Sequence, residues 1–396
     1  MKTKQKYLGE RGLILLIVLL SAFIPLSTDL YLPAMPTMSK TLSVSSGLVN
    51  MTLTMFFIVF GISALFWGPL SDKYGRKPIL TLGLLFYMTG SVMCATTNSI
   101  YILIFSRVIQ AFGAGAVTAV ASAIVKDSFE GRQRDKMFAL VQSMSMLAPI
   151  IAPILGAFVL KFTDWHGSFW ILAGIGFGAF IGSVLLQETV KTKFDGSIAE
   201  SIGRLFIIAK NKNLASLVLI FSISAIPFMA FIAISSYIYI DGFKLSEQSY
   251  SFFFAANAMF SIMGPLIYIK ISKKLTEHKI ITIGFTVSII SGLLICLFGH
   301  SNPILFALSL IPGTLMMGLT RPLGASMIFR QIEGDAGAVS SIMGFSFTIF
   351  GFIGMFSAAL NLMDNIYIIG IFNFVIAAVG LGLWLYFSNR INYCRE

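Results

Sequence analysis

Charge is scarce in this chain. Only 11% of its 396 residues are Asp, Glu, Lys or Arg, while 57% are hydrophobic and the mean hydropathy is +0.87. An ordinary soluble domain carries about 25% charged residues, so a water-exposed globular fold is excluded. Cysteine and histidine are rarer still, three of each. Cys94, Cys296 and Cys394 are scattered, as are His166, His278 and His300. That pattern suggests neither a disulfide framework nor a metal centre. No glycine-rich phosphate-cradling loop occurs, so an ion gradient and not a nucleotide is the expected energy source, and no cofactor is expected.

What the chain has in abundance is long apolar runs. About 20 such residues in a helix cross a hydrocarbon core about 30 Å thick, and twelve blocks are long enough: 13–33, 48–70, 78–96, 99–123, 137–160, 167–187, 214–238, 249–270, 279–299, 302–323, 337–360 and 366–388. The fold class read from them is an all-α membrane protein of twelve transmembrane helices. The first block follows a basic start, but it is too long for the apolar core of a signal peptide and no convincing small-residue cleavage site follows, so it is expected to remain as span one. Lys and Arg crowd the N-terminus, the C-terminus and alternate connections, whereas the opposite connections hold only Lys40, Lys161 and Lys244. Positive residues mark the cytoplasmic side, which puts both termini in the cytoplasm of a multi-pass protein of the inner membrane. The net charge of +11 is thereby accounted for by topology and calls for no nucleic acid. Arg107 is the one cation placed inside a span, with Arg321 counted to the connection after span ten.

The longest polar connection, 188–213, divides the chain into an N-terminal six-helix half, 1–187, and a C-terminal half, 214–396. A surface helix near 198–208 and a plain hydrophilic linker are both open there. An internal echo supports two pseudo-repeats: Gly68-Pro69-Leu70 closes span two, and Gly264-Pro265-Leu266 closes span eight in the same place of the second half. Paired six-helix halves are a transporter plan, with substrate bound between them near the midplane.

Five features carry chemistry. Asp29 is the one clear acid inside a span, where ionisable groups are costly and commonly handle ions or protons; a structural acid neutralised by a partner is the alternative. Arg107 in span four needs a carboxylate, backbone oxygens or water. Asp29 is the carboxylate expected near it, and Gln110 lies one turn on along the same face. The stretch Gly68-Pro-Leu-Ser-Asp72-Lys-Tyr-Gly75-Arg76-Lys77 needs Gly75 for a tight turn, and Asp72 can meet a helix N-terminus. Pro149 and Pro153, four apart in span five and followed by Gly156, read as a kinked, closely packed helix. Asn257 stands among phenylalanines of span eight and either lines a cavity or bonds to a neighbouring helix.

The Gly68–Lys77 loop resembles the signature loop of the major facilitator superfamily, a latch between the two halves on the cytoplasmic side. By that resemblance Arg76 pairs with an acid at the inner end of span four, Asp127 or Glu130. The Arg107 segment is similar to the span-four motif of proton-coupled facilitators, in which the arginine tunes protonation of a nearby acid. Span five resembles the motif of the antiporter branch, with Ala148 and Ala152 where glycines are commoner. Asp29-Leu-Tyr31-Leu-Pro33-Ala-Met-Pro36 resembles the start of the Bcr/CflA group of drug:proton antiporters. The resemblance implies a proton-coupled exporter of small amphipathic or cationic compounds across the inner membrane. Its partners would be a small-molecule substrate, protons and the lipid bilayer, with the chain monomeric. Asp29 and Arg107 would carry the coupling, and Asp29, Tyr31, Gln110 and Asn257 would line the cavity. An exporter of a specific metabolite, such as a siderophore or amino acid, is the nearer alternative. A membrane-embedded enzyme is the distant one, and no catalytic constellation for it is visible.

Overall fold

The computed structural model describes residues 5–190, 203, 205, 207–332 and 336–388. Among these described residues, twelve helices are long and apolar enough to cross a membrane: Gly9–Thr41, Ser46–Tyr74, Arg76–Thr96, Ile100–Ser128, Gly131–Val159, His166–Leu185, Lys212–Gly242, Glu247–Ile271, Glu277–Phe298, Pro303–Phe329, Ala338–Ala359 and Asn365–Ser388. They are spans one to twelve below. Several outrun the apolar blocks by a turn or more, because polar residues at the water-facing rim still continue the helix. The consequence matters most in span ten. It runs on to Phe329, so Arg321 lies well inside the helix and not in the connection after it.

The chain forms two compact units, Met1–Ile202 and Gly203–Glu396. The expected surface helix near 198–208 falls largely outside the described residues. In the first unit, leucines and isoleucines of span one pack against Ile79, Leu80 and Leu84 of span three and Val117, Val120 and Ile124 of span four. In the second, spans seven, nine, ten and twelve meet around Leu217, Ile281, Leu323 and Trp384.

The spans cross on small residues. A side chain added at Gly115 of span four would overlap Ser63 of span two, and one at Gly318 of span ten would overlap the Ser261 carbonyl of span eight. The same device recurs between spans five and one, where Gly156 faces the Leu30 carbonyl, and between spans eleven and seven, where Gly354 faces the Ile226 carbonyl. Two six-helix pseudo-repeats are thus visible as repeated backbone crossings, which let helices approach where lipid gives no hydrophobic drive to association.

Span one is broken, and its prolines say why. It runs as Gly9–Ser21, Phe23–Asp29, a 3-10 turn Leu32–Ala34 and Met35–Thr41. Pro25 has no N–H to give the Ser21 carbonyl four residues earlier, and that oxygen receives the Ser145 hydroxyl of span five at 3.4 Å. Pro33 likewise leaves the Asp29 carbonyl without its helical partner. Asp29 therefore ends a helical segment.

Candidate functional site

Asp29 is 4% exposed and accepts a hydrogen bond from Thr28 Oγ1 at 2.8 Å. Among the described residues every other acid in a span lies within about one turn of an end. The glycine of the span-five motif lies beside it: Gly156 admits the backbone at Leu30, where any side chain would collide with that carbonyl. Pro149 and Pro153 lie within the same helix. Ala148 and Ala152, the departures from glycine, are both buried.

Arg107 is fully buried, and the expected ion pair with Asp29 is not formed. Its Nη1 donates to Gln110 Oε1 and its Nε to the Thr52 carbonyl at 3.4 Å. Its guanidinium lies 4.1 Å from the centroid of Phe56, 4.8 Å from Tyr31 and 5.7 Å from Phe169. A guanidinium is planar and weakly hydrated, so aromatic faces and neutral acceptors stand in for a carboxylate. Nη2 has no hydrogen-bond partner among the described residues. A polar chain runs on from this cage. Gln110 Nε2 donates to Ser91 Oγ at 2.8 Å, Ser91 donates to the Tyr87 carbonyl at 2.7 Å, and the Tyr87 hydroxyl meets Ser27 Oγ at 2.6 Å. Tyr31 is bonded to Thr52 Oγ1 at 3.1 Å. Arg107 is therefore linked to the Ser27–Tyr31 segment by hydrogen bonds and ring contacts, and reaches Asp29 through its chain neighbours.

Gly68 ends the apolar part of span two, and the loop beyond it folds around Arg76. Arg76 Nη2 pairs with Asp72, Nε with Asp127 Oδ2 at 2.9 Å, and Nη1 with Ser71 Oγ at 2.6 Å. Asp127 and not Glu130 thus receives the arginine. Glu188 escaped the sequence reading and is the hub of this cluster. Its carboxylate accepts from the backbone N–H of Arg76 at 2.9 Å and of Lys77 at 3.2 Å, capping the first turn of span three. So the acid seen on a helix N-terminus here is Glu188, while Asp72 pairs with Arg76. Gly75 has φ of +113°, and a side chain there would overlap Glu188 Oε2; both facts require glycine. Lys77 Nζ closes the ring on the Val184 carbonyl of span six at 2.7 Å.

In the second unit, Asn257 is buried with Oδ1 unpartnered among the described residues. Phe254, three residues before it, stacks on Phe231 of span seven. Spans seven, nine, ten and twelve also surround about 630 Å³ of empty space, its open mouth included, reached by Phe228, Ser288, Thr314 and Asn373. Arg321 of span ten lies 4.7 Å from the centroid of Phe347 in span eleven. The sequence reading counted it to the following connection because it stands two residues before the apolar block ends at 323, whereas the helix runs on to Phe329.

The comparisons agree with this architecture. The Major Facilitator Superfamily model matches residues 17–355. The "Bicyclomycin resistance protein homolog" of Haemophilus influenzae is 28% identical over 71% of this chain and 71% of its own. The "Chloramphenicol resistance protein CraA" of Acinetobacter baumannii is 27% identical over 77% of this chain and 73% of its own. Among solved structures, a peptide transporter POT in complex with sulfate superposes with a TM-score of 0.77, covering 98% of this chain and 97% of that one at 16% identity, a likeness of fold alone. With the family model spanning most of its length and twelve helices in the matching arrangement, this chain belongs to the Major Facilitator Superfamily.

Proposed function

We propose that the protein is a proton-coupled exporter of small amphipathic or cationic compounds, and that Asp29 is the carboxylate for which proton and substrate compete. The observation that carries this reading is the isolation of Asp29. It is a buried acid deep in a span, with one hydroxyl donating to its side chain and no ion-paired cation among the described residues, so a proton or a cationic ligand is the natural complement to its charge. The resistance named for the two relatives supports export of toxic compounds, and the basic connections support an inner-membrane location with both termini in the cytoplasm. Outward-open, Asp29 takes a proton and substrate leaves; inward-open, substrate displaces the proton. Arg107 acts here as a positioning residue, holding the Ser27–Tyr31 segment through Tyr31 and the hydrogen-bonded chain. The cluster of Asp72, Gly75, Arg76, Lys77, Asp127 and Glu188 is the cytoplasmic gate. The proton gradient drives the cycle without a cofactor, and the monomer is the working unit.

The test is transport in proteoliposomes with an imposed pH gradient. Ethidium should be moved against its own gradient, and an uncoupler should abolish the movement. Ethidium flux that ignores the pH gradient would remove proton coupling from the reading. Flux of amino acids or siderophores with none of ethidium would replace the drug with a specific metabolite.

A further inference from the structure

Arg321 is a cation in an unusual position. Eight residues separate it from the end of span ten at Phe329, a depth of ~12 Å at the helical rise. At that depth it is nonetheless exposed. Its guanidinium rests against the Phe347 ring, and no carboxylate lies within ion-pair distance among the described residues. Within the second unit every described acid in a span lies within about one turn of an end. Glu277, at the start of span nine, is already paired with Arg330 at 2.7 Å. A guanidinium so deep in a span is stable where water or an anion reaches it, not against lipid tails.

Arg107 gives the contrast. Its guanidinium is enclosed by three rings and two oxygens, whereas Arg321 has one ring contact and no hydrogen-bond partner among the described residues. Stacking constrains the plane of the fork while leaving donors free, and a planar fork matches two oxygens of one anionic group. Among the described residues the deep parts of the spans also carry unequal charge: one acid, Asp29, against two arginines, Arg107 and Arg321.

We propose that Arg321 is an anion subsite that takes the carboxylate or phosphate oxygens of an organic anion or zwitterion, with Phe347 packing against the apolar part of the same molecule. The oxygens can come from a soluble compound or from a lipid headgroup. The site depends neither on the direction of transport nor on proton coupling.

Fluorescein, an aromatic carboxylate, is a suitable probe, titrated by fluorescence polarisation into the full-length protein in a neutral detergent. Saturable binding is expected. Arg321→Ala should weaken it by at least about tenfold, the loss of a charge-assisted bond. Arg321→Lys, which keeps the charge but not the fork, should fall between. Thermal unfolding of each variant checks that it is folded. Repeating the titration in nanodiscs distinguishes the sources. If phosphatidylglycerol displaces fluorescein relative to phosphatidylcholine, and Arg321→Ala removes that displacement, the headgroup is a ligand of the same subsite. If neither lipid displaces it, the ligand is the soluble anion. No saturable binding to the wild type, or equal binding by folded Arg321→Ala, overturns the proposal.

Discussion

The crossing of spans one and five and that of spans seven and eleven use the same geometry and carry different chemistry. In each, a glycine, Gly156 or Gly354, faces a backbone carbonyl, that of Leu30 or Ile226. The residue just before that carbonyl is Asp29 in the first unit and Ala225 in the second. The deep cations differ as well: Arg107 is sealed in an aromatic cage, and Arg321 is open. The repeat therefore preserves how helices approach one another and leaves the placing of charge free to diverge.

The largest effect should come from moving the acid. Asp29→Asn is expected to leave the protein in the membrane and to abolish substrate-induced proton release in detergent or proteoliposomes. Adding Ala225→Asp to that variant asks whether the two crossings are interchangeable. No rescue is expected, because Asp29 also has its Thr28 bond and a neighbouring segment tied to Arg107. Full proton release by Asp29→Asn alone removes the coupling role. Rescue by the second acid makes the halves equivalent and breaks the comparison.

Much of the first unit was legible before any coordinates. Apolar runs give the span count because a bilayer leaves the chain few alternatives. The Gly75 turn follows from its own motif, and the resemblance implied an acid at the inner end of span four for Arg76, Asp127 or Glu130, of which the structure shows Asp127. What was not legible depends on tertiary approach. Glu188 lies just past an apolar block and looks like linker until span six returns to the start of span three. The cage around Arg107 draws Tyr31, Phe56 and Phe169 from three other spans, so of the partners open to it the sequence favoured a carboxylate, while the structure supplies a backbone oxygen, an amide and aromatic rings. Arg321 was counted to a connection for a simpler reason: a helix does not end where its hydropathy falls.

The next effect is on packing. Gly156→Val and Gly354→Val each force a branched side chain against a carbonyl, and overpacking of this kind costs ~1–3 kcal/mol or more. Both should lower the thermal midpoint to a similar extent. Only Gly156→Val should also disturb coupling, because it displaces the backbone next to Asp29. A milder pair, Gly156→Ala and Gly354→Ala, keeps the test open if the valines fail to fold. Equal losses of coupling in both halves remove the distinction between them.

Arg107 should behave as its cage suggests. Arg107→Lys keeps a cation but loses the planar face and fork, so substrate-coupled proton release should be partly retained. Arg107→Met removes both, leaves Gln110 and the Thr52 carbonyl without their donor, and should destabilise the protein by ~1–3 kcal/mol. Tyr31→Phe, which loses only the bond to Thr52, should be milder than either. If Arg107→Met retains more coupling than Arg107→Lys, charge and not packing has been misassigned.

The smallest effect should separate the two arginine clusters at the rims of the units. Arg76 pairs with Asp127 at side-chain exposures of 9% and 20%. Arg330 pairs with Glu277 at 51% and 37%. Both arginines contact carboxylates at hydrogen-bonding distance, so geometry alone predicts equal contributions. Solvent decides otherwise. An exposed pair is screened and entropically costly to order, and contributes ~0–1 kcal/mol. Removing the charge of Asp127 leaves a nearly buried guanidinium with only Ser71 and Asp72 as side-chain partners and should cost ~1–3 kcal/mol. Asp127→Asn should therefore lower the urea or thermal midpoint measurably, while Glu277→Gln should leave it within error. Raising the salt concentration should narrow this gap only slightly, since the enclosed pair is poorly screened. A larger loss from Glu277→Gln than from Asp127→Asn reverses the ranking and places the more consequential ion pair in the second unit.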